Sequence, residues 1–120
     1  MGRGPIRVSV EGLDRLAAKL DELPPEMLRG AASAVAATTD AVADLMRESA
    51  PVDTGELRDS VEGQAAGLHG EVRVTASHGV HVEYGTSRTP EQPFATPSAE
   101  RGRRILPDEV KRHVRQELPA

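Results

Sequence analysis

A chain of 120 residues has the length of one domain, yet it offers only one Tyr, one Phe and no Trp to fill a core. The absence of Cys excludes disulfides and thiolate metal sites, and no apolar run approaches the roughly 20 residues that cross a bilayer. The formal charge of −4 is uneven: residues 1–62 carry 7 basic and 12 acidic side chains, whereas residues 101–120 carry 6 and 3. A thin apolar set, with an acidic body and a basic tail, favours burial gained by assembly with other copies or partners. The opening Met1 to Pro5 lacks the apolar core of a signal peptide. A soluble chain kept in the cytoplasm is expected, unless a larger assembly carries it out.

Ile6, Val8 and Val10 alternate with Arg7 and Ser9, the period-two pattern of a half-buried strand. After a turn at Gly12, Leu13, Leu16, Ala17, Leu20 and Leu23 recur at helical spacing and predict a short amphipathic helix ending at Pro24. Residues 26–50 then form the element around which the chain is organised. Ten of them are Ala or Val, and Gly30 is the sole interior breaker. Leu28, Val35, Val42 and Ser49, interleaved with Ala31, Thr38 and Leu45, line one stripe of a helix. Pro24 and Pro25 suit its start and Pro51 its stop, giving a helix of about 37 Å, long enough to run across a sheet or along a neighbouring subunit.

Asp53 and Thr54 can bond nearby backbone N–H groups and Gly55 can take a positive φ, so residues 52–55 predict a turn. Residues 57–65 read as a strand with Leu57, Asp59 and Val61 on one face, and residues 71–75 as its hairpin partner across a turn at 67–70. Val80, Val82 and Tyr84 alternate with His81 and Glu83, which suggests a fourth short strand or an extended segment. Residues 85–97, with prolines at 90, 93 and 97, form a loop, and Thr96-Pro97 fits the N-cap and first turn of a last helix. That helix carries Ile105, Leu106, Val110, Val114 and Leu118, with Pro107 expected to kink or split it. The expected fold is a single α+β domain over residues 1–120. It has a mainly antiparallel sheet of three to four strands, one long helix packed across it, a short N-terminal helix and a kinked C-terminal helix.

The sequence offers little chemistry. His69, His78, His81 and Glu83 invite a metal reading, but His78 and His81 point to opposite faces of a strand and nothing completes a four-ligand shell. Ser60, Ser77 and His78 lack any nucleophile motif, and Gly85-Thr-Ser-Arg88 is not a phosphate loop. No catalytic, cofactor or metal residues are therefore expected, and no enzyme. A rival class is nucleic-acid binding through Arg101, Arg103, Arg104, Lys111, Arg112 and Arg115. Against it stand the acidic net charge and the lack of aromatic side chains to stack bases.

Three pieces sit in a recognisable order: Ala50-Pro-Val-Asp-Thr-Gly-Glu-Leu-Arg-Asp-Ser60, then His81-Val-Glu-Tyr-Gly-Thr86, then Gln92-Pro-Phe-Ala-Thr-Pro97. Over residues 6–118 the chain resembles the minor tail component or neck family of long-tailed bacteriophages, whose members carry "APVDTGxLRxS", "xVExGT" and "QPFxxPA" in that order. Departures are Ser98, where the family tends to have Ala, and Pro107, which bears on the shape of the last helix.

The resemblance implies a virion structural protein, without activity or cofactor, assembled in the bacterial host cytoplasm and located at the head–tail junction. It would form a homo-oligomeric ring with a six-fold or twelve-fold axis, between a connector or stopper protein and the tail terminator or tail tube. DNA would only pass through the lumen, and no membrane is involved. Two alternatives are a tail terminator subunit and a DNA-contacting protein acting through the basic C-terminal helix. On this resemblance Asp53, Thr54 and Gly55 shape a structural turn. Glu83, Tyr84, Gly85, Thr86, Pro93, Phe94, Arg101, Arg103 and Arg104 meet other copies or partners. Glu83 would face an arginine, within the subunit or across a ring contact. Tyr84 and Phe94 would anchor the sheet end and the loop, with Phe94 docking on a neighbour.

Overall fold

The computed structural model describes residues 6–9, 24–51, 55–87 and 90–118. The helix predicted over 13–23, and Asp53 and Thr54 of the predicted turn, lie outside the described residues.

Helix α1 spans Pro25–Ser49. Pro24 is extended (φ −56°, ψ 147°), and its carbonyl accepts the N–H groups of Met27 and Leu28 at 3.0 and 3.2 Å, while Pro25 has no N–H to leave unpaired. The helix stops because Ala50 precedes Pro51 and turns to extended backbone (φ −64°, ψ 129°). Ala31, Val35, Thr38 and Val42 are buried, as their spacing predicts, whereas Leu28 and Leu45 are half-buried and Ser49 is exposed. Ala34, Thr39, Ala43 and Met46 are buried as well, so the band is wider than one stripe. Two partners account for the width. A Cβ on Gly63 would touch Ala43 and Thr39, and one on Gly70 would overlap Thr39, so Val35, Thr39 and Ala43 face the sheet. A Cβ on Gly102 would overlap Val42, and one on Gly30 would fall 2.6 Å from the Cα of Val114. That side of α1 faces the last helix, at backbone distances only glycine allows.

The predicted strand over 57–65 starts later. Residues 56–59 form a single helical turn, α2 (Glu56–Asp59), which closes on Gly55 through Asp59 N–H to Gly55 O at 2.9 Å. Gly55 has the positive φ (84°) expected of it. Leu57 and Val61 are four apart, a spacing that a helical turn followed by a strand can bury on one side as well as an unbroken strand can. Both are 3% exposed. Strands β1 (Ile6–Ser9), β2 (Val61–Ala66) and β3 (His69–Val74) form an antiparallel sheet in the order β1-β3-β2. The hairpin turns on Gly67 and Leu68, with positive φ at Gly67 alone (56°), the pattern whose twist suits a two-residue loop. The cross-strand rows Ile6–Val74–Val61 and Val72–Gly63 belong to the face under α1, and Arg7–Arg73–Glu62 and Glu71–Gln64 to the opposite face.

The expected fourth strand is a helix, α3 (Gly79–Tyr84). Alternation would have buried Val80, Val82 and Tyr84; the structure buries Gly79 and Glu83, four apart, and leaves Tyr84 62% exposed. A Cβ on Gly79 would press on Val74 and Leu57 at 3.1 and 3.4 Å, so glycine lets this turn settle against the sheet. Helix α4 spans Ala95–Glu117 with Phe94, not Thr96, as N-cap, and it continues through the exposed Pro107 without being split. It runs antiparallel to α1: Ser98 lies by Ser49 (Oγ to Oγ 3.5 Å), Gly102 by Val42, and Val114 by Gly30. The core gathers Val42, Met46, Leu57, Val61, Val72, Val74 and Phe94, so the chain's one Phe closes the space between α1 and the sheet.

Candidate functional site: a carboxylate clasp under an exposed loop

Glu83 is 2% exposed. An uncompensated carboxylate there would cost several kcal/mol, and its partners come from the first turn of α4. Oε1 accepts the N–H groups of Phe94 and Ala95, both at 2.8 Å, and Oε2 accepts that of Thr96 at 3.0 Å. Phe94 has no side chain able to cap, and Pro97, which follows Thr96, has no N–H. The unpaired donors at the helix start are therefore satisfied by one carboxylate from another element, placed at the positive end of the helix dipole. Burial alone would push the Glu83 carboxyl up. The Thr96 hydroxyl and the N–H groups of Phe94, Ala95 and Thr96 outweigh it and hold the carboxyl below the ordinary Glu value.

The same region is tied a second time. Gln92 N–H donates to Val82 O at 2.8 Å, and Gly85 N–H to His81 O at 2.8 Å. Gly85 leaves α3 with φ 76°. Gly85 and Gln92 are thus both held at α3, so the segment between them starts and ends at one place. Tyr84 stands exposed at its base, and Thr86, Pro90, Glu91 and Pro93 are exposed along it.

The expected interface residues therefore separate into two groups. Glu83 faces backbone N–H groups rather than an arginine, because the helix start needs an acceptor and no side chain of its own supplies one. Phe94 is 0% exposed in its own subunit, so it is a core residue and not a side chain held out to a neighbour. Tyr84 does not anchor the sheet end; it lies on the surface, followed by the half-buried Gly85 and the exposed Thr86, and Pro93 is exposed as well. Arg101, Arg103 and Arg104 are exposed on α4. Arg101 and Arg104 line an open groove of about 410 Å³ between α1 and α4, together with Glu48 and Glu100. No group of three or more His, Asp or Glu among the described residues is placed to hold a metal.

Sequence reasoning missed the clasp because Glu83 read as the outward residue of a strand. The signal was present in the pairing of an acidic residue in one motif with a segment holding prolines at 93 and 97 and no Ser, Thr, Asp or Asn at the N-cap. It also missed Arg47, whose Nη2 donates to Val61 O at 2.9 Å and ties α1 to the start of β2.

Among known proteins, the profile of the HK97-gp10-like family, described as "Bacteriophage HK97-gp10, putative tail-component", matches residues 14–85. The match covers 72 of the 120 residues and includes the first motif piece, the second as far as Gly85, and α3, but not the third piece or α4. No curated protein and no solved structure matches the chain. The chain belongs to the HK97-gp10-like family of bacteriophage tail components, with a structural role in the tail of the virion.

Proposed function

We propose that this protein forms a closed ring at the head–tail junction and completes the tail there, between a connector or stopper protein on the head side and the tail terminator or tube below. The observation that carries the reading is the union of the second and third motif pieces: Glu83 of one binds the backbone of the other, at Phe94, Ala95 and Thr96. The clasp binds one motif piece to another, holding both ends of the 85–92 segment at the surface. A segment tied at both ends, with the exposed Tyr84 at its base, loses less conformational freedom on docking than a free one, which suits a subunit that must seat on a preformed ring. The acidic α1 surface (Asp40, Asp44, Glu48) and the arginines of α4 supply opposite charges for register between copies. DNA passes through the lumen without specific contact.

Deleting the gene from its phage and supplying the protein in trans tests the reading. Filled heads and free tails of normal length, restored to joined particles by complementation, are the expected result. Tails of uncontrolled length would make the protein a terminator instead, and normal joined particles from the deletion would overturn the proposal.

A further inference from the structure

We infer that the outer edge of β2 receives strand β1 of a neighbouring copy, in a parallel pairing that sets Glu62 of one subunit beside Arg7 of the next. The inference rests on the ring reading above and names the contact that would close such a ring.

The order β1-β3-β2 makes β1 and β2 the two edges of the sheet. Thr75 N–H donates to Ser60 O, so residues 60, 62, 64 and 66 turn their backbone groups toward β3, and 61, 63 and 65 turn theirs outward. One of those outward groups is taken: Arg47 holds Val61 O at 2.9 Å. The N–H and C=O groups of Gly63 and Ala65 have no partner among the described residues. By the same alternation, β3 residues 72 and 74 face β1, so Val8 and Ile6 bond inward and Arg7 and Ser9 outward. Natural free edges are commonly guarded by Lys, Pro or a bulge, and the β2 sequence Val-Glu-Gly-Gln-Ala-Ala has neither residue.

Charge selects the occupant. Arg7, Arg73 and Glu62 form one row on the face away from α1. Two arginines stand directly opposite each other in that row, an unfavourable pair, and Glu62 closes its far end. Arg7 and Glu62 are both exposed, and neither has an ion-pair partner among the described residues. Both edge strands are antiparallel to β3, so they are parallel to each other, and two different patches of one chain would meet, as a ring requires. In a parallel pair, a residue pointing at its neighbour bonds the two residues that flank its opposite number. With Gly63 opposite Val8, its N–H meets Arg7 C=O and its C=O meets Ser9 N–H. That register puts Glu62 against Arg7 on the same face of the joined sheet. A two-fold pairing of β2 with β2 about Gly63 would instead set Glu62 against Gln64 and gain no opposite charge.

The chain has no Cys, so engineered cross-links report cleanly. An Arg7→Cys, Glu62→Cys double variant would be oxidised both as concentrated pure protein and in isolated particles. The expected result is a ladder of reducible oligomers ending at one size, with no cross-link in either single variant. Arg7→Glu should weaken assembly about five-fold, and adding Glu62→Arg should restore it. Monomer-sized protein in both settings would overturn the contact, as would dimers formed by a Glu62→Cys, Gln64→Cys variant in place of the ladder. A ladder from a protein that is absent from the head–tail junction would leave the contact standing and remove the neck reading. A protein located at the junction without a ladder would do the reverse.

Discussion

Replacing Glu83 by Gln keeps shape and volume while removing the charge, and the structure sets what it should cost. The amide oxygen can still accept from Phe94 and Ala95, but those two bonds lose charge assistance, about 0.5–1.5 kcal/mol each. The amide nitrogen then faces Thr96 N–H, donor against donor, which leaves a part-buried N–H unpaired at a further cost of about 1–3 kcal/mol. The expected loss is about 2–6 kcal/mol, a large share of a stability of roughly 5–15 kcal/mol. In urea, with a slope of about 2 kcal/mol/M, the midpoint should fall by about 1–3 M. The clasp also makes stability depend on acid. Because the folded carboxyl titrates below its ordinary value, its contribution is complete above the unfolded Glu pKa of about 4.3 and is lost as pH falls through the folded value. Glu83→Gln should therefore lose stability at neutral pH and show a shallower decline below about pH 4 than the parent. An unchanged urea midpoint at pH 7, or an identical acid profile, would refute the reasoning.

Three further substitutions probe the packing. Phe94→Ala should lower stability by about 3–5 kcal/mol in chemical denaturation, since the ring lies at 0% exposure in the core; near-native stability combined with defective particles would return Phe94 to an interface role. Gly102→Ala, which raises helix propensity by about 1 kcal/mol in an exposed helix, should here destabilise by about 1–3 kcal/mol, because its methyl would overlap Val42. A higher melting temperature would contradict the close α1–α4 approach. Thr38→Val should stabilise by about 1 kcal/mol, since the buried Thr38 hydroxyl has no hydrogen-bond partner among the described residues; a loss of stability in the same assay would point to a further partner for that hydroxyl.

The elements with long periodic stretches and firm punctuation were legible. Pro24, Pro25 and Pro51 bracket α1 because proline acts locally, whatever the tertiary setting. The positive φ at Gly55 and the Gly67 hairpin follow equally from local geometry. What escaped was decided by contacts distant in sequence. Val80 to Tyr84 has a strand pattern, but Glu83 is drawn inward by donors eleven to thirteen residues later, and that overrides alternation. Leu57 fits a strand or a turn, and the turn prevails once Gly55 reverses the chain. Phe94, flanked by prolines in a polar stretch, read as a side chain held out for a partner, whereas the missing aromatic area of the core was the stronger demand. Gly30 reads as the one interior breaker of α1; its use, like that of Gly102, appears only when the facing helix is in place.

The central claim, a ring at the head–tail junction, is tested most directly by imaging. A small electron-dense tag placed at the C-terminus, after a check that tagged protein still complements, would be located on averaged images of intact particles. The account predicts one ring of tag density between head and tail and none elsewhere. Density repeating along the tube, or confined to the distal tip, would contradict it.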